Sequence, residues 1–325
     1  FACVMASRRL AFFDAHNHVH MSMPGQIPPF EENLSMETAE AFNRHSKDVA
    51  NTLLGEVDCS VGSNVVVRGM ALMSTQPRDF AVVNIVCDKI RRAEEDCLSG
   101  PFKSVPCYGV HPWFLHEAEA DGAVLGSDPA NGGFWWEELL RQSLLENPSA
   151  CVGEIGLDTA RYDPATGNPY TPLDRQVEAF EAQLRIATEL ERPVSVHAVR
   201  AWGPLLNILN KRFGKKKGDK PPRMYFHAFG GKPAVVDQVD AACRGTSEVI
   251  YGFAPIINFR SPKTAEVIRK IGIDRLVLET DHEDYRCVKD SLDANANFVA
   301  KALDMDKVDV INRTSANALR FYGLE

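Results

Sequence analysis

The chain has 325 residues and no run approaching the ~18 consecutive apolar residues of a helical membrane span, so no membrane partner is expected. It has no C-x-x-C pair; its eight cysteines are scattered at 3, 59, 87, 97, 107, 151, 243 and 287. In a long chain without a secretory signal that pattern implies reduced thiols rather than a disulfide framework. Cys107 and Cys151 fall in apparent strands and read as packing residues. Phe1 to Ala6 is too short and too weakly apolar for a complete signal peptide. The expectation is therefore an intracellular protein, cytoplasmic first, with a nuclear or organellar place as alternatives. A basic excess is also missing. The net charge is −8 and the pI about 5.7, which is not the footprint of a dedicated duplex-binding protein. Internal repeats, low-complexity stretches and Pro/Gly/Ser linkers are lacking too, so one domain over residues 1–325 is expected. No segment calls for an obligate protein partner.

What is present is a series of metal-competent groups at the ends of short apolar runs. Asp14-Ala15-His16-Asn17-His18 follows Leu10 to Phe13, which reads as a buried strand. Residues two apart on a strand share a face, so His16 and His18 point the same way. Two imidazoles so placed suit one divalent metal, and are also compatible with two unrelated surface histidines. Val152-Gly153-Glu154-Ile155-Gly156-Leu157-Asp158 adds a carboxylate between glycines. Pro193-Val194-Ser195-Val196-His197 and Arg223-Met224-Tyr225-Phe226-His227 each end in histidine, and Leu276-Val277-Leu278-Glu279-Thr280-Asp281 ends in aspartate. A satisfied core residue explains any one of these alone. Five strand ends carrying His, Glu or Asp argue for a common site.

The runs alternate with helical patterns. Strands are expected at 10–16, 65–73, 105–110, 150–155, 193–197, 223–227, 248–253 and 275–279. Helices are expected at 36–54 and 80–98, after Thr171-Pro172 as an N-cap and N1 pair, and after Ser261-Pro262. Eight strands with intervening helices and no linker argue for a closed (β/α)8 TIM barrel over an open doubly wound sheet. All the candidate ligands lie at carboxyl ends of strands, which is where barrel active sites form.

The ordered set of motifs resembles the TatD-type metal-dependent deoxyribonucleases, within the amidohydrolase-like barrels. The matching pieces are Asp14-Ala15-His16-Asn17-His18, Tyr108-Gly109-Val110-His111-Pro112, Gly153-Glu154-Ile155-Gly156-Leu157-Asp158, Pro193 to His197, His227-Ala228-Phe229-Gly230-Gly231, Leu278-Glu279-Thr280-Asp281 and Asn317-Ala318-Leu319-Arg320-Phe321. They run almost end to end in the family's order. The resemblance implies a dinuclear site: His16, His18 and Asp281 on one divalent ion, His197 and His227 on the other, and Glu154 bridging. It implies phosphodiester hydrolysis by a metal-activated water, in the manner of a deoxyribonuclease or 3'-5' exonuclease, with DNA or short single strands as substrate. Glu154 and Asp281 are the expected catalytic residues. Asp281 both ligates and takes the proton of the attacking water. His111, Asp158 and Arg200 are the expected substrate contacts.

Two divalent ions ~3.5–4 Å apart clamp the attacking and departing oxygens of an in-line displacement, and a shared carboxylate offsets their repulsion. No lysine lies in 150–158, which favours a glutamate bridge over a modified lysine. Four histidines and two carboxylates suit Mg, Mn or Zn. The chain departs from the family in two places. His197-Ala198-Val199-Arg200 is one residue longer than the usual H-x-R or H-x-K. His282-Glu283-Asp284-Tyr285 replaces the usual small residue and proline. With the long, proline-containing stretch 20–35, these departures resemble a eukaryotic branch more than the bacterial one.

Blander readings apply elsewhere. His20, His45, His116 and His282 read as solvated loop or helix residues. Lys215 to Lys220 reads as a solvated turn, and Trp135-Trp136 as packing. The alternative functions are an amidohydrolase-type enzyme acting on a small amide, lactone or phosphoester, and a non-catalytic interaction protein.

Overall fold

The computed structural model describes residues 10–22, 57–58, 64–92, 102–124 and 133–325. The expected helix at 36–54 and most of the 20–35 stretch lie outside these residues, as do His45 and the end of the 80–98 helix.

Eight parallel strands run in sequence order: β1 Leu10–Asn17, β2 Asn64–Met73, β3 Lys103–Tyr108, β4 Cys151–Asp158, β5 Val194–Val199, β6 Arg223–Phe226, β7 Glu248–Phe253 and β8 Leu276–Leu278. All eight expected strands are present, with ends shifted by at most three residues and the 248–253 strand unshifted. A two-residue segment, Val57–Asp58, pairs antiparallel with β2. The barrel closes between β8 and β1, where the Asp281 amide donates to the His16 carbonyl at 3.0 Å. The (β/α)8 architecture is thus as expected.

The strands carry two apolar faces, as a barrel covered by helices requires. Outside, Val67, Val152, Val196, Phe226 and Tyr251 pack against α1 Phe80–Arg92, α4 Leu173–Glu189, α5 Trp202–Lys211 and α6 Pro233–Cys243. Inside, Phe13, Ala15, Ala71, Val105, Cys107, Cys151, Tyr225, Ile250 and Val277 fill the barrel. The final helix, α9 Lys307–Tyr322, plugs its amino-terminal end. Phe321 meets Tyr225 edge-on at 5.8 Å between centroids, and the Tyr322 hydroxyl donates to the Ala15 carbonyl at 2.8 Å. With that end sealed by aromatic packing, only the carboxyl-terminal face is left for a site. Cys107 and Cys151 behave as the packing residues expected: both are buried and free.

Several local expectations are refined. Helix α4 begins at Leu173 with Pro172 as its N-cap residue, not Thr171, whose hydroxyl finds no partner. Gln176 stands in, donating to the Thr171 and Asp158 carbonyls and accepting the Asp158 amide, so the helix start is tied to the end of β4. The helix after Ser261-Pro262, α7 Thr264–Ile271, starts later, with Ser261 Oγ accepting from the Lys263 amide. Trp136 is fully buried at the start of α3 Trp136–Glu146, and Trp135 donates to the Ala118 carbonyl, so both tryptophans pack. The lysine run is exposed except Lys220, which is buried and donates to the Gly214 carbonyl.

Candidate metal centre

β1 delivers His16 and His18 to the carboxyl-terminal face with their Nε2 atoms 3.3 Å apart. Each ring is set by its other nitrogen. His18 Nδ1 lies 3.0 Å from the Met73 carbonyl at the end of β2. A carbonyl only accepts, so Nδ1 carries a proton and Nε2 is the atom turned to the centre. His16 Nδ1 lies 3.1 Å from Ser195 Oγ on β5.

Glu154, on β4, spans the site. Its Oε2 lies 3.3 Å from His16 Nε2 and 3.2 Å from His18 Nε2. Its Oε1 lies 2.8 Å from His197 Nδ1, 2.5 Å from His227 Nε2 and 3.4 Å from His111 Nε2. Asp281 places Oδ1 3.6 Å from both His16 and His18 Nε2. His16 and His227 stack at 3.9 Å between ring centroids. All six expected ligands therefore meet in one pocket. Three overlapping groups can each hold a cation: His16, His18 and Glu154; His16, His227 and Asp281; and His111, Glu154 and His197.

The spacing itself tests the fit. Four ligands ~2.0–2.1 Å from a tetrahedral ion are about 3.3 Å from one another. The 3.3, 3.3 and 3.2 Å edges of the His16–His18–Glu154 triangle match that spacing. Three ligand atoms converging at this distance form the face that a cation could occupy.

Electrostatics agree. Burial raises the cost of charging Glu154, but His227, His111 and His16 outweigh it and hold its carboxyl well below the usual range. Asp281 is likewise held low despite burial, by His18, His227 and His16. Burial pushes His16 down to about 3 and His111 down to about 4. For His197 the hydrogen bonds to Asp158 and Glu154 overcome burial and raise it to about 9. His18 is also held well above its ordinary value, against burial, by Asp281 and Glu154. Ionised carboxylates facing imidazoles are what a cation would meet.

Of the expected substrate contacts, His111 and Asp158 are at the site and Arg200 is not. His111 is buried and lines the cleft above Glu154. Asp158 closes β4 and accepts from Trp113 Nε1 at 2.7 Å on the same Oδ2 that lies 3.0 Å from His197 Nε2. It is thus a support for His197, whose Nδ1 is left facing Glu154. Arg200 is exposed and not among the residues lining the cleft. His20, expected to be solvated, is fully buried in a short helical turn, 3.8 Å from Asp79 Oδ2, because that turn packs beneath the cleft.

Further residues build the site without having been singled out. Asp14 is buried and accepts from the Thr280 amide (3.0 Å) and hydroxyl (2.7 Å), tying β1 to the segment carrying Asp281. Burial pushes its carboxyl up to about 7 against those donors. Glu279 Oε1 accepts from the Ala228 amide at 2.6 Å, beside His227. Both are polar groups inside apolar runs, which is a legible signal. The Met73 carbonyl leaves no sequence trace. Ala228 and Asp281 both adopt left-handed backbone, φ 39° and 57°, and the Glu279 and His16 acceptors hold them there. Gly156 sits where β4 approaches β5 so closely that a Cβ would lie 1.9 Å from the His197 carbonyl oxygen.

Comparison with known proteins places these residues in a family context. The family model described as "TatD related DNase" matches residues 13–323. The chain is 25% identical over 348 aligned positions to the Cut9-interacting protein scn1 of Schizosaccharomyces pombe, covering 88% of this chain and 99% of that one. It is 25% identical to the human deoxyribonuclease TATDN3 over 67% of this chain and 74% of the relative. Its fold is similar to the crystal structure of a TatD family hydrolase from Entamoeba histolytica, with a TM-score of 0.65 at 14% identity over 98% of this chain and 99% of that one.

Proposed function

Because the chain belongs to the TatD related DNase family, we propose that it is a metal-dependent phosphodiesterase acting on DNA ends or short single strands with two divalent ions. The observation that carries the reading is Glu154: one carboxylate reaches His16 and His18 with one oxygen and His197 and His227 with the other.

His16, His18 and Asp281 would hold one ion, His197 and His227 the second, and Glu154 both. Bound there, the ions would supply Lewis-acid stabilisation of the charge developing on the phosphate oxygens and would acidify the attacking water. The chain's own groups do the rest. Glu154 supplies the shared negative charge. Asp281, whose carboxyl is held ionised, accepts the water's proton at Oδ1. Asp158 and the Met73 carbonyl fix the faces of His197 and His18, so those ligands need not reorganise during the reaction. His111, kept neutral by burial, faces the cleft where a phosphate oxygen would lie. The cleft holds about 290 Å³, which suits a strand end rather than a duplex.

The test is cleavage of end-labelled single strands, matched duplexes and covalently closed circles with Mg, Mn or Zn, each against chelator. Metal-dependent cutting of single strands and frayed ends is expected. Equal cutting of closed circles would remove the end preference. Failure on every DNA, with hydrolysis of a small amide or lactone, would move the assignment to an amidohydrolase. Failure on all substrates would favour an interaction protein, the sense in which the fission-yeast relative is named.

A further inference from the structure

Among the described residues, none of those lining the cleft is a lysine or arginine. A strand held only at the scissile phosphate would pivot, and a cation one nucleotide away would stop it. The Arg161 guanidinium stands beside the cleft, over a ring that lines it. Arg161 Cζ lies 4.6 Å from the centroid of the Trp113 ring and 5.4 Å from that of Tyr170. Trp113 lines the cleft, with its ring 6.1 Å from that of His197. Arg161 is therefore one aromatic ring further out than a proposed ligand.

Its setting is built. The indole is fixed by its bond to Asp158, and Tyr170 is stacked on His116 at 5.1 Å. The β4–α4 loop that carries Arg161 folds back on itself: Tyr162 bridges to Pro169, and the Asp163 amide donates to the Asn168 carbonyl at 2.8 Å. Arg161 is exposed and makes no ion pair among the described residues. A guanidinium stacked on ring faces keeps its in-plane N–H donors free, and two such donors match a phosphate. Across the barrel the charge is reversed. Glu283 follows β8, four strands from β4, and is exposed at the same cleft.

We propose that Arg161 binds the backbone phosphate next to the scissile one, so that the nucleic-acid strand leaves the cleft over Trp113 and away from Glu283. This rests on the phosphodiesterase reading above. Arg161, and not Arg200, is then the cation that positions the substrate.

The test compares an end-labelled single strand with bis(4-nitrophenyl) phosphate, a diester with no neighbouring phosphate. Arg161→Ala should raise KM on the strand by ~10-fold with kcat nearly kept, and should lower the salt slope by about one unit. The loss on the small diester should be several-fold smaller than on the strand. Arg161→Lys should recover part of the loss, because charge returns without stacking. Glu283→Gln should lower KM on the strand. An unchanged KM and salt slope in Arg161→Ala, an equal loss on both substrates, or a larger KM effect from Arg200→Ala would each overturn the proposal. A wild-type protein that hydrolyses the small diester but no strand would remove the strand path alone; one that hydrolyses neither would remove the phosphodiesterase reading with it.

Discussion

Replacing Glu154 by glutamine isolates the bridging charge. The side chain is 2% exposed and meets five imidazoles, with contacts of 2.5 to 3.4 Å. Glutamine keeps the volume but has one oxygen. Whichever way the amide settles, its NH2 group faces either the His16/His18 pair or the His197/His227 pair, and an NH2 group offers no lone pair to a cation. One half of the site therefore loses its shared ligand, and the whole site loses a unit of negative charge that balances two dications. Removing a single preorganised group that stabilises transition-state charge costs ~3–4 kcal/mol, and a bridging ligand should cost at least that, on the order of a thousandfold in kcat or more. The fold should survive, because Val152, Ile155 and Leu157 on the same strand keep their packing. The assay is single-turnover cleavage of an end-labelled strand by purified variant, with metal content by mass spectrometry and the urea midpoint measured in parallel. A folded Glu154→Gln protein that keeps wild-type turnover and metal content would refute the bridging role.

Asp158→Asn should weaken metal binding by ~10–100-fold in a competition titration with a chromophoric chelator, because His197 loses the anion that orients it; unchanged affinity would show that Asp158 does not support a ligand. Gly156→Ala should reduce activity more than stability, since the new methyl would push directly on the His197 carbonyl; normal kcat/KM would contradict that. Phe321→Ala should lower stability by ~3–5 kcal/mol in urea unfolding, as the barrel plug loses its contact with Tyr225, and a change below 1 kcal/mol would mean the barrel end can collapse around the gap. Chelation should lower the Tm and metal should restore it, since saturation at 100 Kd adds about 2.7 kcal/mol; a Tm indifferent to metal would deny specific binding.

The barrel was readable because five of the eight apolar runs carry a metal-competent group at or near their ends, and closure leaves such groups only one face. His16, His18, Glu154, His197, His227 and Asp281 could be picked out for that reason. What escaped detection acts through contacts that sequence order does not encode. Trp113 supports Asp158 from 45 positions away, and the Met73 carbonyl orients His18 through a group every residue possesses. Arg200 was chosen as the counterpart of the family's H-x-R or H-x-K cation, whereas the side chain that stands at the rim, Arg161, arrives on the preceding β–α loop. The start of α4 was misplaced by one residue because a glutamine inside the helix, not the threonine before it, satisfies the local backbone.

The most direct test of the central claim is anomalous diffraction from crystals equilibrated with Mn. Two peaks ~3.5–4 Å apart are predicted, one against His16, His18 and Asp281, the other against His197 and His227, both touching Glu154. A single peak away from Glu154, or none at saturating metal, would contradict the dinuclear account.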